Sequence, residues 1–444
     1  MKNIAIIGAG ESGTGAARLA QAKGMGVWVS DIGQIADKYK DVLCHHDIGF
    51  EEGTHSTEKI LACDEIIISP GIPLNAALIV AAKQKGIPVI SEIEFAWRYC
   101  EGKVIAITGS NGKTTTTSLI YHILSKAGLS VGLGGNIGKS FAALVLDDPH
   151  DYYVIEMSSF QLDSIKDFRP DIAVLLNITP DHLDRYDNKM ENYVASKFRI
   201  TMNQQASDFL VYCADDPEIE NYMKQHPSGA ARMPFSLQKT FTRGAFVNEN
   251  SIEIKTQHKE LNMTIHQLAL QGKHNLYNSM AAAIAAKLLD IRNDVIRDSL
   301  TDFQNIEHRL ERVGSVHGIH FINDSKATNV NSVWYALESV EAPVIWIAGG
   351  VDKGNDYSML DELVKQKVKV LICLGKDNKK LMHAFDGKVQ TILEAGSAED
   401  AVIQAYRAGK KGDTVLLSPA CASFDLFENY EDRGRKFKQA VKSL

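Results

Sequence analysis

The chain has 444 residues, a formal net charge of −7 and a sequence pI of about 6.1. This charge argues against a nucleic-acid partner, and no apolar stretch approaches the roughly 20 residues of a membrane span. The N-terminal residues lack the features of a signal peptide, and the six cysteines contain no C-x-x-C pair, as is typical of reduced thiols. We therefore expect a cytoplasmic protein of two or three domains, without a membrane or nucleic-acid partner.

The first predicted elements are a strand, a glycine turn and a helix. Residues 4–7 are apolar, residues 8–13 read G-x-G-x-x-G, and Asp31 ends a second strand about 20 positions later. This is the dinucleotide fingerprint, in which the glycines admit a diphosphate to the helix N-terminus. The same turn binds other diphosphates, so an NAD enzyme and a nucleotide-bearing substrate both stay open. We predict a small α/β domain over residues 1–92.

A phosphate-binding loop is predicted in the next domain. The apolar strand at residues 104–107 runs into TGSNGKTT at residues 108–115, and apolar residues then recur at helical spacing. Such a loop directs backbone N–H groups and a helix N-terminus at phosphate. Lys113 adds a positive charge, and Thr114 supplies a hydroxyl for Mg²⁺. The loop is shorter than the usual phosphate loop, but its lysine and threonine stand where the chemistry requires them.

Three further residues of the predicted central domain, residues 93–304, are candidates for chemistry. Glu156 ends a strand, where a Mg²⁺-binding carboxylate belongs, although it could instead be an acid at a helix N-terminus. His182 follows the next strand between acidic residues, and a functional and a structural role are about equally supported. Lys197 by itself would pass as a solvated lysine on a helix.

Polar residues recur at strand ends in the predicted third domain, residues 305–444. Lys326 and Lys353 both follow apolar strands and are suited to phosphate or carboxylate groups. The predicted fold is α/β with three domains. The first and third are Rossmann-like, and the central one is a phosphate-loop domain with a mostly parallel sheet and a small antiparallel sheet.

Several motifs together resemble one known family. The general motifs are TGSNGKTTT at 108–116, GGNIG at 134–138, ExSSFQL at 156–162, DHLDRY at 181–186 and GKHN with a following asparagine at 272–278. The more specific motifs are NDSKATN at 323–329, GGxxKG at 349–354 and SPACASFD at 418–425, continuing to NYEDRG at 429–434. Over essentially the whole chain these motifs resemble the Mur ligases, the ATP-dependent amide-forming enzymes of peptidoglycan synthesis, and among them the D-glutamate-adding type.

The resemblance implies an activity and its requirements. A monomeric, ADP-forming ligase would add D-glutamate to UDP-N-acetylmuramoyl-L-alanine through an acyl phosphate. ATP and two Mg²⁺ ions would be needed, Lys197 would be carbamylated by CO₂, and no NAD is expected. Another amino-acid specificity is the main competitor within the family. If the protein were an NAD-dependent oxidoreductase, Lys353 and NDSKATN would have no function in it. If it were a non-catalytic nucleotide-binding protein, Lys113, Glu156 and His182 would have no chemical function.

The resemblance also implies roles for individual residues. The catalytic residues would be Lys113, Glu156, His182 and carbamylated Lys197, and the metal ligands Thr114, Glu156, His182 and Lys197. ATP would contact Gly109, Ser110, Asn111, Gly112, Lys113, Thr114, Thr115, Thr116, Asn275, Asn278, Arg309 and Asp324. The UDP-linked substrate would contact Glu11, Ser12, Gly13, Asp31, Ser69, Gly71, Asn136, Ser158 and Gln161. D-glutamate would contact Lys326, Thr328, Lys353, Ser423, Phe424 and Tyr430. Glu11 places an acid beside an expected diphosphate, which is unfavourable unless its side chain points away.

Overall fold

The computed structural model describes residues 1–256, 260–270, 272–303, 307–341 and 343–444. The chain forms two compact units. The first comprises Met1–Ala269 with Asn275–Phe303, and the second comprises Leu270–His274 with Gln304–Leu444. The first unit contains two β-sheets and the second contains one.

The first sheet is parallel throughout, as the predicted α/β pattern requires. Its strands are β1 (Asn3–Ile7), β2 (Gly26–Asp31), β3 (Gly49–Glu52), β4 (Glu65–Ile68) and β5 (Val89–Ser91), in the order β3-β2-β1-β4-β5. The helices are α1 (Glu11–Ala22), α2 (Asp37–His45), α3 (Thr57–Ile60), α4 (Ala77–Gln84) and α5 (Glu92–Trp97). The strand order reverses between β1 and β4, and open α/β sheets bind ligands at such a switch point. The glycine turn after β1 lies there.

The second sheet has nine strands, and its parallel part surrounds the phosphate loop. The strands are β6 (Lys103–Thr108), β7 (Val131–Gly135), β8 (Tyr152–Glu156), β9 (Ile172–Leu175), β10 (Phe209–Cys213), β11 (Ala231–Ser236), β12 (Gly244–Asn248), β13 (Ser251–Lys255) and β14 (Glu260–Thr264). Their order is β14-β13-β12-β11-β10-β9-β6-β8-β7. β6 lies between β9 and β8, so the segments after these three strands meet at one edge. The predicted antiparallel strands are β12–β14, and they extend this sheet rather than forming a separate one.

Helices and short 3₁₀ turns complete the first unit. The helices are α6 (Lys113–Lys126), α7 (Phe141–Asp147), α8 (Ser159–Leu162), α9 (Met190–Phe198), α10 (Pro217–Gln225), α11 (Lys273–Leu288) and α12 (Asn293–Asp302). Of these helices, α11 belongs to the first unit from Asn275 onward. The 3₁₀ turns are Leu183–Tyr186, Arg199–Thr201 and Ile265–Gln267. α6 buries Leu119, Ile120, Ile123 and Leu124, the apolar positions that predicted it.

The third sheet is parallel except at one edge. Its strands are β15 (Glu311–Val316), β16 (Ile319–Asn323), β17 (Val344–Gly349), β18 (Val368–Leu374), β19 (Thr391–Ala395) and β20 (Thr414–Ala420), in the order β15-β16-β20-β17-β18-β19. β15 is antiparallel to β16. The helices are α13 (Val330–Ser339), α14 (Asp361–Lys367), α15 (Lys379–Phe385), α16 (Ala398–Ala408) and α17 (Tyr430–Lys442), and Ser358–Leu360 is a 3₁₀ turn. Apolar cores cover both faces.

The predicted domain borders stay predictions. The border between residues 92 and 93 falls at the first residue of α5, and the border between residues 304 and 305 lies outside the described residues. Within the part of the chain that the structure describes, no helix is long and apolar enough to cross a membrane.

Two acidic side chains from the helices of the first sheet bind the N-terminus of α7. Glu11 Oε1 accepts the Ser140 N–H at 3.2 Å, and Glu92 Oε1 accepts the Ala142 N–H at 2.5 Å. Such acceptor oxygens pair the N–H groups that a helix N-terminus leaves without partners inside the helix. At the other end of α7, Arg18 forms a bidentate ion pair with Asp147. The Glu11 side chain therefore binds the N-terminus of α7. This contact accounts for an acid in the glycine turn, where it would otherwise lie unfavourably beside the expected diphosphate.

The Glu92 contact makes the stability of this interface depend on pH. Burial raises the pKa of Glu92 to about 8, since only the backbone N–H groups of α7 oppose it and the nearby Glu11 charge adds to it. Between about pH 4.5 and 8 the folded chain thus holds a proton that the unfolded chain has lost, so stability falls as pH rises through this range. Glu92→Gln keeps the acceptor oxygen and cannot ionise.

We therefore expect the melting temperature of Glu92→Gln to rise relative to that of the parent as pH increases from 5 to 8. Differential scanning fluorimetry across this range measures the difference. The exposed Glu101 provides a matched control, and Glu101→Gln should follow the parent at every pH. A constant offset between Glu92→Gln and the parent would contradict the prediction.

Candidate functional site

The predicted phosphate loop is a tight turn between β6 and α6. Gly112 precedes α6 with φ +83°, a left-handed conformation that favours glycine, and a Cβ there would lie 2.3 Å from Asn278 Oδ1. Thr114, Thr115 and Thr116 are buried in the first turn of α6. Lys113 Nζ donates to the carbonyls of Gly109 at 2.8 Å and Ser110 at 2.9 Å. The lysine therefore lies over the loop, where it would add charge to a bound phosphate.

The segment after β9 holds the phosphate loop in place. The Asn177 side chain accepts the Asn111 N–H at 2.9 Å and donates to the Asn111 carbonyl at 3.0 Å. Ser110 Oγ accepts the Thr179 N–H and donates to the Thr179 carbonyl, both at 2.9 Å. These hydrogen bonds join residues more than 60 positions apart, so the loop conformation depends on the neighbouring strand.

Lys197 is buried beside the phosphate loop and is not a solvated helix lysine. Its side chain is 2% exposed, and Nζ donates to the Gly109 carbonyl at 2.9 Å, the same oxygen that Lys113 approaches. Burial lowers the pKa of Lys197 well below its usual range, and the positive charge of Lys113 lowers it further, while Asp181 and Asp163 partly oppose this. The arrangement favours a neutral amine, which is the nucleophilic form of lysine.

Glu156 ends β8 at the same edge of the sheet. It pairs with Ile107 of β6 and Gly135 of β7, and it is 2% exposed. Oε1 accepts a hydrogen bond from Asn136 Nδ2 at 2.9 Å, so a predicted metal ligand and a predicted substrate ligand lie together. α8 begins only at Ser159, after its N-cap Ser158. Glu156 is therefore a strand-end carboxylate, and its interpretation as an acid at a helix N-terminus is wrong.

Ser158 and Gln161 have a local structural role. They form a capping box, in which Ser158 Oγ accepts the Gln161 N–H and Gln161 Oε1 accepts the Ser158 N–H. Their predicted contact with the UDP-linked substrate stays a prediction.

His182 lies in the segment after β9 with a left-handed backbone, φ +53°. Its ring is 5.1 Å from that of Phe160 in an edge arrangement, and Nε2 is 3.7 Å from Asp181 Oδ1. Among the described residues, no group of three or more His, Cys, Asp and Glu side chains could hold a metal by itself. A metal here would therefore need other oxygen donors as well, and Mg²⁺ commonly takes a carboxylate together with hydroxyl and phosphate oxygens.

Asp31 and Ser69 are brought to the glycine turn of the first sheet. Asp31 accepts the Ala9 and Gly33 N–H groups, each at 2.8 Å, and Ser69 Oγ donates to the Gly8 carbonyl at 3.1 Å. Ser12 and Gly13 lie in the first turn of α1, and Gly71 is exposed after β4. A Cβ at Gly10 would meet open space, so the backbone of the turn is accessible. Asp31 therefore braces a turn with accessible backbone, and the predicted contact with a diphosphate stays a prediction.

The remaining predicted ATP residues lie on both units. In the first, Asn278 Nδ2 donates to Asn275 Oδ1 at 3.3 Å, and Thr116 Oγ1 donates to Asn278 Oδ1 at 3.2 Å. In the second, burial raises the pKa of Asp324 to about 7, while the charge of Arg309 and a hydrogen bond from Ser418 oppose this.

The predicted D-glutamate residues follow three neighbouring parallel strands. Lys326 and Thr328 follow β16, Lys353 follows β17, and Ser423 and Phe424 follow β20, which lies between the other two. Their loops therefore share one edge of the third sheet. The residues differ in exposure, since Ser423 is 2% exposed and Phe424 is 74% exposed. Lys326 Nζ lies 5.2 Å from the ring centroid of Tyr430, the first residue of α17.

Three family models match this architecture. The MurD-like N-terminal domain of Mur ligases matches residues 2–91, the Mur ligase middle domain matches residues 107–286, and the glutamate ligase domain of Mur ligases matches residues 308–421. A protein of Christiangramia forsetii named UDP-N-acetylmuramoylalanine–D-glutamate ligase is 53% identical over the whole of both chains. A Bacteroides fragilis protein of the same name is 56% identical, also over the whole of both chains.

The chain belongs to the Mur ligase family. The predictions of a ligase and of its three-domain α/β fold are thereby confirmed, and the oxidoreductase interpretation loses its support. Solved structures agree on the fold. The Thermotoga maritima UDP-N-acetylmuramate–alanine ligase MurC covers all of both chains with a TM-score of 0.64 at 17% identity. The MurF ligase of the same organism, in complex with ADP, covers 94% of this chain and 95% of its own, with a TM-score of 0.60 at 15% identity.

Two residues beside the predicted sites of this Mur ligase were not predicted from its sequence. Asn177 holds the phosphate loop, and Arg433 lies buried beneath the strand-end loops of the third sheet. Arg433 lies within the NYEDRG motif, whereas Asn177 lies four residues before DHLDRY, directly after a predicted strand. Motif membership was therefore a signal for Arg433 and strand-end position a signal for Asn177, since an asparagine or arginine alone predicts neither position nor partner.

Proposed function

We propose that this Mur ligase joins D-glutamate to UDP-N-acetylmuramoyl-L-alanine, with conversion of ATP to ADP and phosphate, as a step of peptidoglycan precursor synthesis. The observation that carries the proposal is the shared edge after β16, β17 and β20. Two lysines and a buried serine follow these strands, and D-glutamate brings two carboxylates that such groups can bind. The names of the full-length relatives point to the same substrates.

The reaction has two steps that the residues support. The carboxylate of the UDP-linked substrate attacks the γ-phosphorus of ATP, ADP leaves, and an acyl phosphate forms. The amine of D-glutamate then attacks the acyl carbon and loses a proton, and phosphate leaves to give the amide. The N–H groups of the phosphate loop and Lys113 hold the phosphates and offset their growing charge, and the remaining work is positioning. Asn275, Asn278, Arg309 and Asp324 would bind the rest of ATP.

The donor set beside the phosphate loop fits magnesium, a hard cation that prefers oxygen ligands. Two Mg²⁺ ions would be bound here, with ligands from phosphate oxygens and from Thr114, Glu156, His182 and carbamylated Lys197. When bound, Mg²⁺ would neutralise part of the negative charge of the phosphates. The buried Glu156 side chain, oriented by Asn136, contributes carboxyl oxygens at the edge next to the phosphate loop.

Lys197 is proposed to react with CO₂. The neutral amine forms an N–C bond with CO₂ and loses one proton, which leaves an anionic carbamate. The Lys113 and Lys197 amines both bind the Gly109 carbonyl, which supports this, because an anionic carbamate would attract the Lys113 ammonium where a neutral amine does not. The modified side chain would then be an oxygen donor for metal.

The remaining proposed contacts are those with the UDP-linked substrate. This substrate is proposed to be surrounded by Glu11, Ser12, Gly13, Asp31, Ser69, Gly71, Asn136, Ser158 and Gln161. The acidic net charge argues against a nucleic-acid partner, and we propose that the protein is a cytoplasmic monomer without a membrane partner.

Phosphate release from ATP tests the function. We expect release to require both UDP-N-acetylmuramoyl-L-alanine and D-glutamate, and mass spectrometry should detect the amide product. L-glutamate, L-alanine, L-lysine and meso-diaminopimelate serve as alternative acceptors. Because a site built for polar groups rejects analogues that leave them unpaired, kcat/KM for D-glutamate should exceed that of each alternative by at least about 100-fold. A higher kcat/KM with another acceptor would overturn the proposed specificity.

A further inference from the structure

Arg433 is a buried arginine that contacts three loops at once. It lies in the first turns of α17 and is 1% exposed. Nε donates to Ser325 Oγ at 3.0 Å, and Nη2 donates to the Ser325 carbonyl at 2.9 Å. Both Nη atoms donate to the Cys421 carbonyl, at 3.2 and 3.3 Å, and Nη1 also approaches the Gly349 carbonyl at 3.4 Å. One planar group therefore joins three separate segments.

The three segments are those that carry the predicted D-glutamate residues. Ser325 directly precedes Lys326, and Cys421 lies two residues before Ser423. Gly349 is the last residue of β17 and begins the segment that carries Lys353. The bonded residues therefore lie one to four positions from the predicted D-glutamate residues, close enough for a displacement of the guanidinium to move each loop.

Ion pairing does not explain this arginine. Across the described residues, no carboxylate lies within ion-pair distance of Arg433, and all its acceptors are carbonyl or hydroxyl oxygens. Burial lowers the pKa of Arg433 to about 10, although the nearby Cys421, Asp425 and Asp324 oppose this. Burying a charge is costly unless it is paired and hydrogen-bonded, so the burial of Arg433 is not by itself a stabilising feature. The hydrogen bonds instead indicate a geometric role.

The surrounding packing keeps α17 and the loops at a fixed separation. Gly434 follows Arg433, and a Cβ there would lie 2.1 Å from the ring of His308, which is buried. Ala420, directly before Cys421, has φ +62°, which is uncommon for a residue with a side chain. Its N–H bonds the Ala327 carbonyl at 2.9 Å. Helix and loops therefore hold the guanidinium in one place.

We propose that Arg433 is a positioning residue for the D-glutamate subsite, which orients the loops after β16, β17 and β20 by binding their Ser325, Gly349 and Cys421 oxygens. The inference rests on the proposed placement of D-glutamate at these loops. It predicts that Arg433 acts on the amino acid without contacting it, and that lysine cannot replace it. Lysine carries its donors on a single nitrogen, whereas the arginine fork reaches three separate acceptors.

Steady-state kinetics of Arg433→Lys and Arg433→Met test the proposal, with Arg435→Met as a control on the exposed face of the same helix. We expect KM for D-glutamate to rise at least about tenfold in both Arg433 variants, while KM for ATP and for the UDP-linked substrate changes less than about twofold. Arg435→Met should match the parent. A purely structural role would reduce the active fraction, and thus kcat, without changing any KM, and this result would overturn the proposal.

A milder variant protects the test against misfolding. Ser325→Ala removes the hydroxyl that accepts from Arg433 Nε and donates to the Tyr430 carbonyl at 2.8 Å, and it keeps the carbonyl contact with Arg433. We expect it to fold with a melting temperature closer to that of the parent than those of the Arg433 variants, and to raise KM for D-glutamate about threefold. An unchanged KM in both Ser325→Ala and Arg433→Lys would overturn the inference.

Direct-contact variants separate this inference from the proposed site. Lys326→Met and Ser423→Ala should raise KM for D-glutamate if the subsite is placed correctly. If they do so and the Arg433 variants do not, the positioning role is wrong and the site stands. If they leave this KM unchanged, the placement of D-glutamate is wrong, and the inference about Arg433 falls with it.

Discussion

Lys113→Ala is expected to lower kcat for phosphate release by at least about 10³-fold, because the variant loses the cation that offsets charge on the transferred phosphoryl group. The structure holds Lys113 Nζ at the carbonyls of Gly109 and Ser110, so its charge is already located at the phosphate loop. Stopped-time phosphate assays at saturating substrates measure the effect.

Lys126→Ala is a matched control for this variant. Lys126 is the last residue of the same helix and pairs with Asp302 at the surface. The control should keep kcat within about twofold of the parent, as exposed ion pairs contribute little. If Lys113→Ala retained more than about a tenth of the parent kcat, its proposed role at the phosphates would be wrong.

Lys197→Ala is expected to be nearly inactive, with kcat lowered at least about 10³-fold, and to recover on addition of formate or acetate. The alanine leaves space at a buried position, and a short carboxylate can supply the anionic oxygens that the carbamate would provide. We expect tens of millimolar carboxylate to raise kcat at least about tenfold. Phosphate release across a carboxylate titration provides the measurement.

Two comparisons make this result specific. Lys189→Ala changes an exposed lysine just before the same helix and should behave as the parent. Lys113→Ala should stay inactive in carboxylate, because an anion cannot replace its positive charge. Lys197 would be only structural if its alanine variant were active, or if carboxylates had no effect on an inactive but folded variant.

The interaction between Lys113 and Lys197 connects these two predictions. Both amines approach the Gly109 carbonyl, and the positive charge of Lys113 helps to lower the pKa of Lys197. A neutral Lys197 is required for reaction with CO₂. Lys113 thus has a second consequence besides phosphate binding, since it favours the amine form that the proposed carbamylation needs.

Local sequence was sufficient for the elements that carry the site. The apolar run before residue 108 and the glycines that follow specify a strand and a turn, because their backbone requirements are met within a few residues. The strands ending at Glu156 and before NDSKATN were predictable in the same way. Motif order then identified the family, and with it the three-domain α/β fold, before any contact was known.

The tertiary structure decided what each polar residue touches. Lys197 reads as a surface lysine, yet its amine bonds a carbonyl 88 positions away. Arg433 bonds Ser325 across 108 positions, and Glu11 bonds Ser140 across 129. Sequence by itself determined the strands, the glycine turns, the family and the set of candidate residues. Only the tertiary structure decided their burial, charge environment and partners, because these depend on segments that are distant in the chain and that become neighbours when the sheets form.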